Sequence, residues 1–229
     1  MKTISLSLCA VMIGASAMAL APAPLKRTIK AGDTHSWKLS ATVNMMGADM
    51  QFSANAKEVI KEVKADGSYV VSESMSNQVI DMGDGEMPAG EDTTAEVSRN
   101  NRGYITLIQG DDNSSDSYRF SNLAAFIYPE NDVEVGHKWE YAVDANKTIG
   151  VPPVKFNFEI VGTEKVLDHD CYKIKYSVQE TEGSMAASGA GHHYVDIKSG
   201  LIIRTEGTMN NAPMGGMQMN VKFKQELVK

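Results

Sequence analysis

Two stretches of the chain share one pattern, and this repetition constrains the fold more than any other feature of the sequence. Residues 55–73 and 159–177 each combine alternating apolar residues, a polar turn and a second alternating segment. When the two stretches are aligned without gaps, three apolar pairs coincide: Val63 with Val166, Tyr69 with Tyr172, and Val71 with Ile174. Alternation on both sides of a turn is typical of a β-hairpin. The sequence therefore predicts two related β-hairpins, one in each half of the chain.

Similar alternation continues along most of the remaining chain. Roughly ten strands, separated by turns about every 8–12 residues, match the spacing of an all-β protein. We therefore predict an all-β fold, in which an antiparallel meander forms a sandwich or a half-open barrel. Residues 20–229 are expected to be a single β-rich domain, with similar halves at about 26–129 and 130–229.

One segment departs from the strand pattern. Residues 120–128 form a mainly apolar run in which Ser121 can cap a helix and Pro129 would end it. We predict one short helix there.

The first nineteen residues have the features of a secretory signal peptide. Lys2 is the positive residue, an apolar run follows it, and Ala17 and Ala19 form a small-x-small cleavage site. We predict cleavage after Ala19 and a periplasmic or secreted mature protein. The apolar run is shorter than the roughly 20 residues that a membrane-spanning helix needs, so no transmembrane span is expected in the mature chain.

Charge and motif content argue against several functions. The formal net charge is −7 at pH 7, and an acidic surface repels phosphate backbones, so nucleic acid is not an expected partner. The sequence contains no Gly-x-Ser-x-Gly elbow, P-loop or dinucleotide fingerprint. We therefore predict that the protein is not an enzyme, and we assign no catalytic residue and no cofactor.

The histidines and cysteines do not form a recognisable metal or thiol site. His192 and His193 are adjacent, so on a strand they point to opposite faces and cannot share one metal ion. Cys9 leaves with the signal peptide, and Cys171 is then the only cysteine, so no intramolecular disulfide is expected. No metal ligand is assigned.

Methionine and phenylalanine residues share strand faces at both ends of the mature chain. Met50 and Phe52 alternate on one predicted strand, and Met217, Met219 and Phe223 alternate on the last one. Methionine adapts to irregular apolar surfaces and to varied ligands. We interpret these five residues as the lining of a site for an apolar or lipid-like ligand.

Two alternatives remain open for the same residues. They are core residues if the protein is a structural or interaction component of the cell envelope without a small ligand. Thioethers also bind Cu(I), and the spacing of Met214, Met217 and Met219 is compatible with a periplasmic copper site. Copper requires about three sulfur atoms at one point, whereas a greasy wall requires them to be dispersed.

The order of several motifs resembles a group of secreted bacterial families of unknown function. The motifs are, in chain order, Gly32-x-x-x-x-Trp37, KEVIKEVKADGSYVV at 57–71, MPAG at 87–90, YPE at 128–130, VGHKWEY at 135–141, GTEKV at 162–166, CYKI at 171–174 and YVDIKSGLI at 194–202. The resemblance covers about residues 26–229. It implies an architecture similar to the lipoprotein carriers LolA, LolB and LppX, in which a curved antiparallel sheet surrounds an apolar cavity. It defines no functional residue.

Overall fold

A computed structural model of the chain describes residues 21–45, 48–83, 85–110 and 113–228. The predicted signal peptide, residues 1–19, lies outside this part of the chain. Within these ranges the chain forms one antiparallel sheet of twelve strands with one short helix, so the all-β prediction is confirmed. The strands are β1 (Thr34–Met45), β2 (Ala48–Val63), β3 (Tyr69–Asp81), β4 (Glu86–Pro88), β5 (Thr93–Arg99), β6 (Ile105–Gly110), β7 (Lys138–Val143), β8 (Val154–Val166), β9 (His169–Glu180), β10 (Ser188–Asp196), β11 (Ile202–Met214) and β12 (Met217–Leu227). The helix α1 (Ser115–Asn122) connects β6 to the second half.

The order of strands across the sheet places the two ends of the domain at its centre. The order is β6-β5-β3-β2-β1-β12-β11-β10-β9-β8-β7, and the short β4 pairs with β3. The chain meanders outward from β1 to one edge, crosses through α1 to the opposite edge, and meanders back to β12. The edge strands β6 and β7 are not paired with each other. This arrangement is consistent with a half-open barrel, one of the two arrangements that the sequence predicted.

Cross-strand pairs show which residues share a face of this sheet. One row crosses eight strands in direct register: Phe52, Ala41, Phe223, Gly207, Gly191, Tyr176, Phe158 and Trp139. Directly opposite residues of an antiparallel pair lie on the same face. We call the face that carries this row the inner face, because most of its members pack in the main core cluster.

The helix lies earlier in the chain than the sequence predicted. It spans Ser115–Asn122, and Ser114, not Ser121, is its N-cap, with a side chain that accepts a hydrogen bond from the backbone N–H of Ser117. The prediction of one short helix is therefore confirmed, but its predicted bounds of 120–128 are wrong. Residues 125–128 are all buried, so this part of the segment has no exposed polar face of the kind that a surface helix needs, and it packs as an irregular buried segment.

This segment fills the inner face of the second half. Leu123 and Ile127 are fully buried, and the indole N–H of Trp139 donates to the carbonyl of Ile127 at 2.8 Å. A Cβ atom at Gly189 would lie only 2.3 Å from the carbonyl oxygen of Leu123, so glycine is required there. The ring of Phe126 meets Trp139 edge-on. The chain itself thus covers the inner face here with its own buried side chains.

The two halves repeat one local arrangement. The backbone N–H of Gly32 donates to Ile60 at 2.8 Å, and the N–H of Ile60 donates back to the residue after Gly32 at 2.9 Å. Gly136 and Ile160 form the same pair of bonds at 2.7 and 3.0 Å. A β-bulge follows both isoleucines. Both strands therefore bend at equivalent positions.

The segment that leads into each half packs on a turn of the other half. Lys26 lies against the turn at Gly200. A Cβ atom added at Gly200 would lie only 2.2 Å from the carbonyl oxygen of Lys26. Tyr128 donates its backbone N–H to Arg102 at 2.9 Å, in the turn that ends at Gly103. These reciprocal contacts join the two halves, as the β1–β12 pairing also does.

Candidate functional site

The five predicted lining residues lie on the inner face, on the two strands that flank β1: β2 and β12. Phe52 and Phe223 lie opposite Ala41 from its two neighbouring strands. Met50 lies two residues further along β2, and Met219 and Met217 continue the inner face of β12 toward its hairpin. The structure thus places residues from both ends of the chain on one surface. We call these five residues the apolar strip.

The exposure of the apolar strip rises toward the hairpin end of the sheet. Phe223 is 7% exposed and belongs to the main core cluster. Met50, Phe52 and Met219 are partly exposed, and Met50 and Met219 pack against that cluster. Met217 is 51% exposed. The strip is therefore the edge of the core on one side and an accessible apolar surface on the other.

Two further apolar residues of the inner face were missed by the sequence analysis. Ile80 lies opposite Phe52, and Met75 lies opposite Ala56, so both face the same side of the sheet. One residue number is even and the other is odd, yet both side chains share a face, because β3 contains an irregularity at Asn77, whose φ is +50°. Simple alternation cannot place both residues on one face, and an asparagine in the middle of the strand was the available signal.

A charged cluster lies on the inner face of the first half, and nothing in the sequence analysis predicted it. Arg27 donates to both carboxylate oxygens of Glu58, with one bond at 3.0 Å, and the Nδ1 atom of His35 lies 3.2 Å from the same carboxylate. Burial alone would raise the pKa of Glu58. Hydrogen bonds from His35 and Arg27, together with the charge of Arg27, outweigh burial and lower this pKa to about 2.

A second ion pair continues this cluster. Glu73 lies directly opposite Glu58 on the neighbouring strand and accepts a hydrogen bond from Arg99 at 2.6 Å. Arg99 also donates to the carbonyl of Gly103 at 3.1 Å. Two arginines therefore balance two carboxylates that would otherwise repel each other. The cluster holds the lead-in segment of Arg27 against β2.

Cys171 is not positioned as a nucleophile. Its thiol is buried, and burial with the nearby charge of Asp196 raises its pKa to about 12. His169, two positions earlier, directs its Nδ1 atom to Asp196 at 3.0 Å, and the thiol donates to the backbone carbonyl of His169 at 3.6 Å. The thiol therefore stays protonated at neutral pH.

The paired histidines face opposite sides of the sheet, as the sequence predicted. His193 is fully buried, its ring stacks on Tyr176 with centroids 4.3 Å apart, and its Nδ1 atom lies 2.9 Å from the hydroxyl of Thr205. Burial lowers the pKa of His193 to about 3, so it is neutral. His192 is partly exposed on the other face. Across the described ranges, no three His, Cys, Asp or Glu side chains are grouped to hold a metal ion.

Two open clefts lie away from the apolar strip. One has a volume of about 620 Å³ beside β6 and β7, and its lining includes Tyr104, Tyr118 and the loop 143–149. The other has a volume of about 360 Å³ and is lined by Thr163, Glu164, Lys165, Asp170, Cys171, Ile197 and Lys198. Neither lining includes a residue of the apolar strip.

Comparisons with known proteins show only distant structural likeness. No family model matches the chain, and no curated protein matches its sequence significantly. The hypothetical lipoprotein YmcC from Escherichia coli (K12) is 11% identical, with 89% of this chain and 90% of that chain covered and a TM-score of 0.36. A candidate lipoprotein from Parabacteroides distasonis is 13% identical over 89% and 97% of the two chains, with a TM-score of 0.37.

A third solved structure has a similar level of likeness. A candidate exported protein with a YmcC-like fold from Bacteroides fragilis is 10% identical over 90% of this chain and 98% of its own, with a TM-score of 0.32. Scores this low do not transfer a function to the chain. Within the residues that the structure covers, no helix combines the length and apolarity needed to cross a membrane.

Proposed function

We propose that the mature chain, residues 20–229, is an exported cell-envelope protein that binds an apolar or lipid-like ligand on the apolar strip. It acts as a single domain of two similar halves, in the periplasm or outside the cell. The observation that carries this proposal is the register that aligns Phe52, Ala41 and Phe223 across three strands. The signal-peptide pattern of the first nineteen residues supports export.

The energetic reason lies in the incomplete burial of the strip. Full burial of a Met or Phe side chain contributes about 1.5–3 kcal/mol relative to exposure. Met50, Phe52 and Met219 remain partly exposed on the inner face. A ligand that covers them would gain part of that free energy of burial. Met75 and Ile80 extend the same surface onto β3. An acyl chain fits such a surface because its binding requires no directional partner.

The alternative is an envelope structural or interaction protein without a small ligand. The buried segment at 123–128 favours it, because this segment already fills the inner face of the second half. Under this alternative the apolar strip is only the border of the core. The ligand proposal therefore concerns the first half and the β1–β12 pair, where the strip is accessible.

Native mass spectrometry of protein purified from a periplasmic extract without detergent provides the first test. The proposal expects a mass above that of residues 20–229 by the mass of a lipid. A second test titrates the mature protein with dansyl-labelled undecanoic acid and follows fluorescence.

Single substitutions then localise the binding surface. Phe52→Ala is expected to weaken binding of the dansyl probe about tenfold, which corresponds to about 1.4 kcal/mol. Leu107→Ala is the matched control, because Leu107 is a 40% exposed apolar residue on the edge strand β6, outside the strip. Absence of saturable probe binding, or equal effects of the two substitutions, would contradict the proposal.

A further inference from the structure

Two methionine-bearing hairpins lie side by side at one end of the sheet. The pairing of β1 with β12 extends to Asn44 opposite Asn220, so the β1–β2 hairpin and the β11–β12 hairpin are neighbours. Met50 lies near the end of the first hairpin, and Met214, Met217 and Met219 surround the end of the second. Four thioethers from distant parts of the sequence are thus gathered at one end of the molecule.

The β11–β12 hairpin brings three of these side chains to one face. Met214 lies directly opposite Met217, across a two-residue turn in which Gly215 and Gly216 have φ values of +60° and +78°. Positive φ at both positions defines a tight type I′ turn and explains why both are glycine. Met219 lies opposite Ala212, on the same face as the other two.

The spacing of the three side chains permits their sulfur atoms to meet. Directly opposite residues have Cβ atoms about 5 Å apart, and diagonal neighbours about 7–8 Å apart. Residues two positions apart on a strand are separated by about 7 Å. Each methionine is unbranched and has three rotatable bonds, so its sulfur can reach toward a common point between the three Cβ atoms.

The chemistry of the ligands selects the ion. Thioethers are soft, neutral donors that prefer Cu(I) and do not suit Mg²⁺, Ca²⁺ or Mn²⁺. A thioether needs no deprotonation to bind a metal, unlike cysteine, so binding does not compete with protons. Met217 is 51% exposed, which gives an incoming ion access to the cluster. Met214 and Met219 pack at the border of the core and fix the other two donors.

We infer that Met214, Met217 and Met219 form a thioether site for a soft monovalent ion, Cu(I) or its analogue Ag(I). This site is separate in chemistry from the proposed apolar ligand, although Met217 and Met219 belong to the apolar strip. Leucine keeps an apolar side chain at each position and removes the sulfur, so loss of metal binding in a leucine variant reports on the thioether.

The test uses the mature protein labelled with ¹³C at the methionine methyl groups. Titration with silver nitrate in chloride-free buffer is expected to shift the signals of Met214, Met217 and Met219 and to saturate at one ion per chain. Cu(I) affinity is measured in ascorbate by competition with bicinchoninate. The triple variant Met214→Leu, Met217→Leu, Met219→Leu is expected to lose both responses.

A matched variant controls for methionine content. Met82, Met87 and Met185 lie elsewhere in the chain and are 57%, 49% and 58% exposed. Their triple replacement by leucine is expected to leave Ag(I) and Cu(I) binding unchanged. Circular dichroism checks that each variant folds. If the triple ligand variant does not fold, the single substitution Met217→Leu, at the most exposed ligand, is tested in its place. Unchanged metal binding in the ligand variants, or no saturable uptake by the wild type, overturns the site. Phe52→Ala removes no sulfur, so it is expected to weaken binding of the dansyl probe and to leave Ag(I) binding unchanged; the two proposals therefore fail independently.

Discussion

Replacing Glu58 by glutamine should remove a pH-dependent part of the stability of the protein. Glu58 is 7% exposed, and its carboxylate holds the lead-in segment by accepting hydrogen bonds from Arg27. Its pKa falls from 4.5 to about 2 on folding, a difference that corresponds to about 3 kcal/mol at about 1.4 kcal/mol per pKa unit. Glutamine keeps the shape of the side chain but cannot carry the charge that produces this difference.

The direction of the pH effect follows from the sign of the shift. Because the pKa of Glu58 is lower in the folded state, its contribution is complete above about pH 5 and is lost as the pH falls toward 2. Between pH 7 and pH 3, the wild type should lose about 2 kcal/mol through this group alone. The Glu58→Gln variant lacks this carboxylate, so its free energy of unfolding should not fall by this amount over the same pH range.

Urea unfolding of both proteins at several pH values between 7 and 3 measures this difference. Other carboxylates titrate in the same range, but they do so in both proteins and cancel in the comparison. Glu62→Gln serves as a control, because Glu62 is exposed on the same strand and its replacement should change stability by less than about 0.5 kcal/mol. A gap between wild type and Glu58→Gln that stays constant with pH would refute the reasoning.

Three further predictions follow from close contacts and burial. Gly189→Ala should destabilise the protein by about 2 kcal/mol or more in thermal unfolding, since its Cβ would lie 2.3 Å from a backbone oxygen, whereas Gly162→Ala, which meets nothing within 4 Å, should be close to neutral. Ser114→Ala should cost about 1 kcal/mol in urea unfolding, because it removes the cap of α1. Cys171, with a pKa raised to about 12, should react with iodoacetamide at pH 8 only after unfolding; rapid labelling of the native protein would contradict its burial.

Strand positions were predictable because one face of the sheet is buried and the other is not. Phe156, Phe158 and Ile160 alternate in the sequence, and all three are at most 3% exposed. The helix was not predictable in the same way. The segment Ser115–Asn122 is polar and forms a helix mainly because Ser114 caps it and Tyr118 anchors it, with a hydroxyl that accepts the backbone N–H of Ile108 at 2.7 Å. That anchor is a tertiary contact on an edge strand, which local sequence does not reveal.

The charged cluster was unpredictable for a related reason. Arg27 lies in a Pro-containing lead-in that has no strand pattern, and its partner Glu58 follows thirty-one positions later on β2. Alternation correctly places Glu58 on the same face as Ala54 and Ala56. It gives no reason for a charged residue on that buried face, so the pattern alone does not predict a charged cluster there. Only the packing of the lead-in over the sheet supplies the compensating charge.

The apolar strip shows which part of a site alternation can predict and which part it cannot. Alternation placed Phe52 and Phe223 each on the apolar face of its own strand, and the structure agrees. Their proximity depends on the β1–β12 pairing, which joins the two ends of the domain and has no local signal. A ligand on the strip would contact both sides of this pairing and would bind only the folded chain. Binding of such a ligand would therefore be thermodynamically linked to the β1–β12 pairing, and occupancy of the strip would stabilise that pairing.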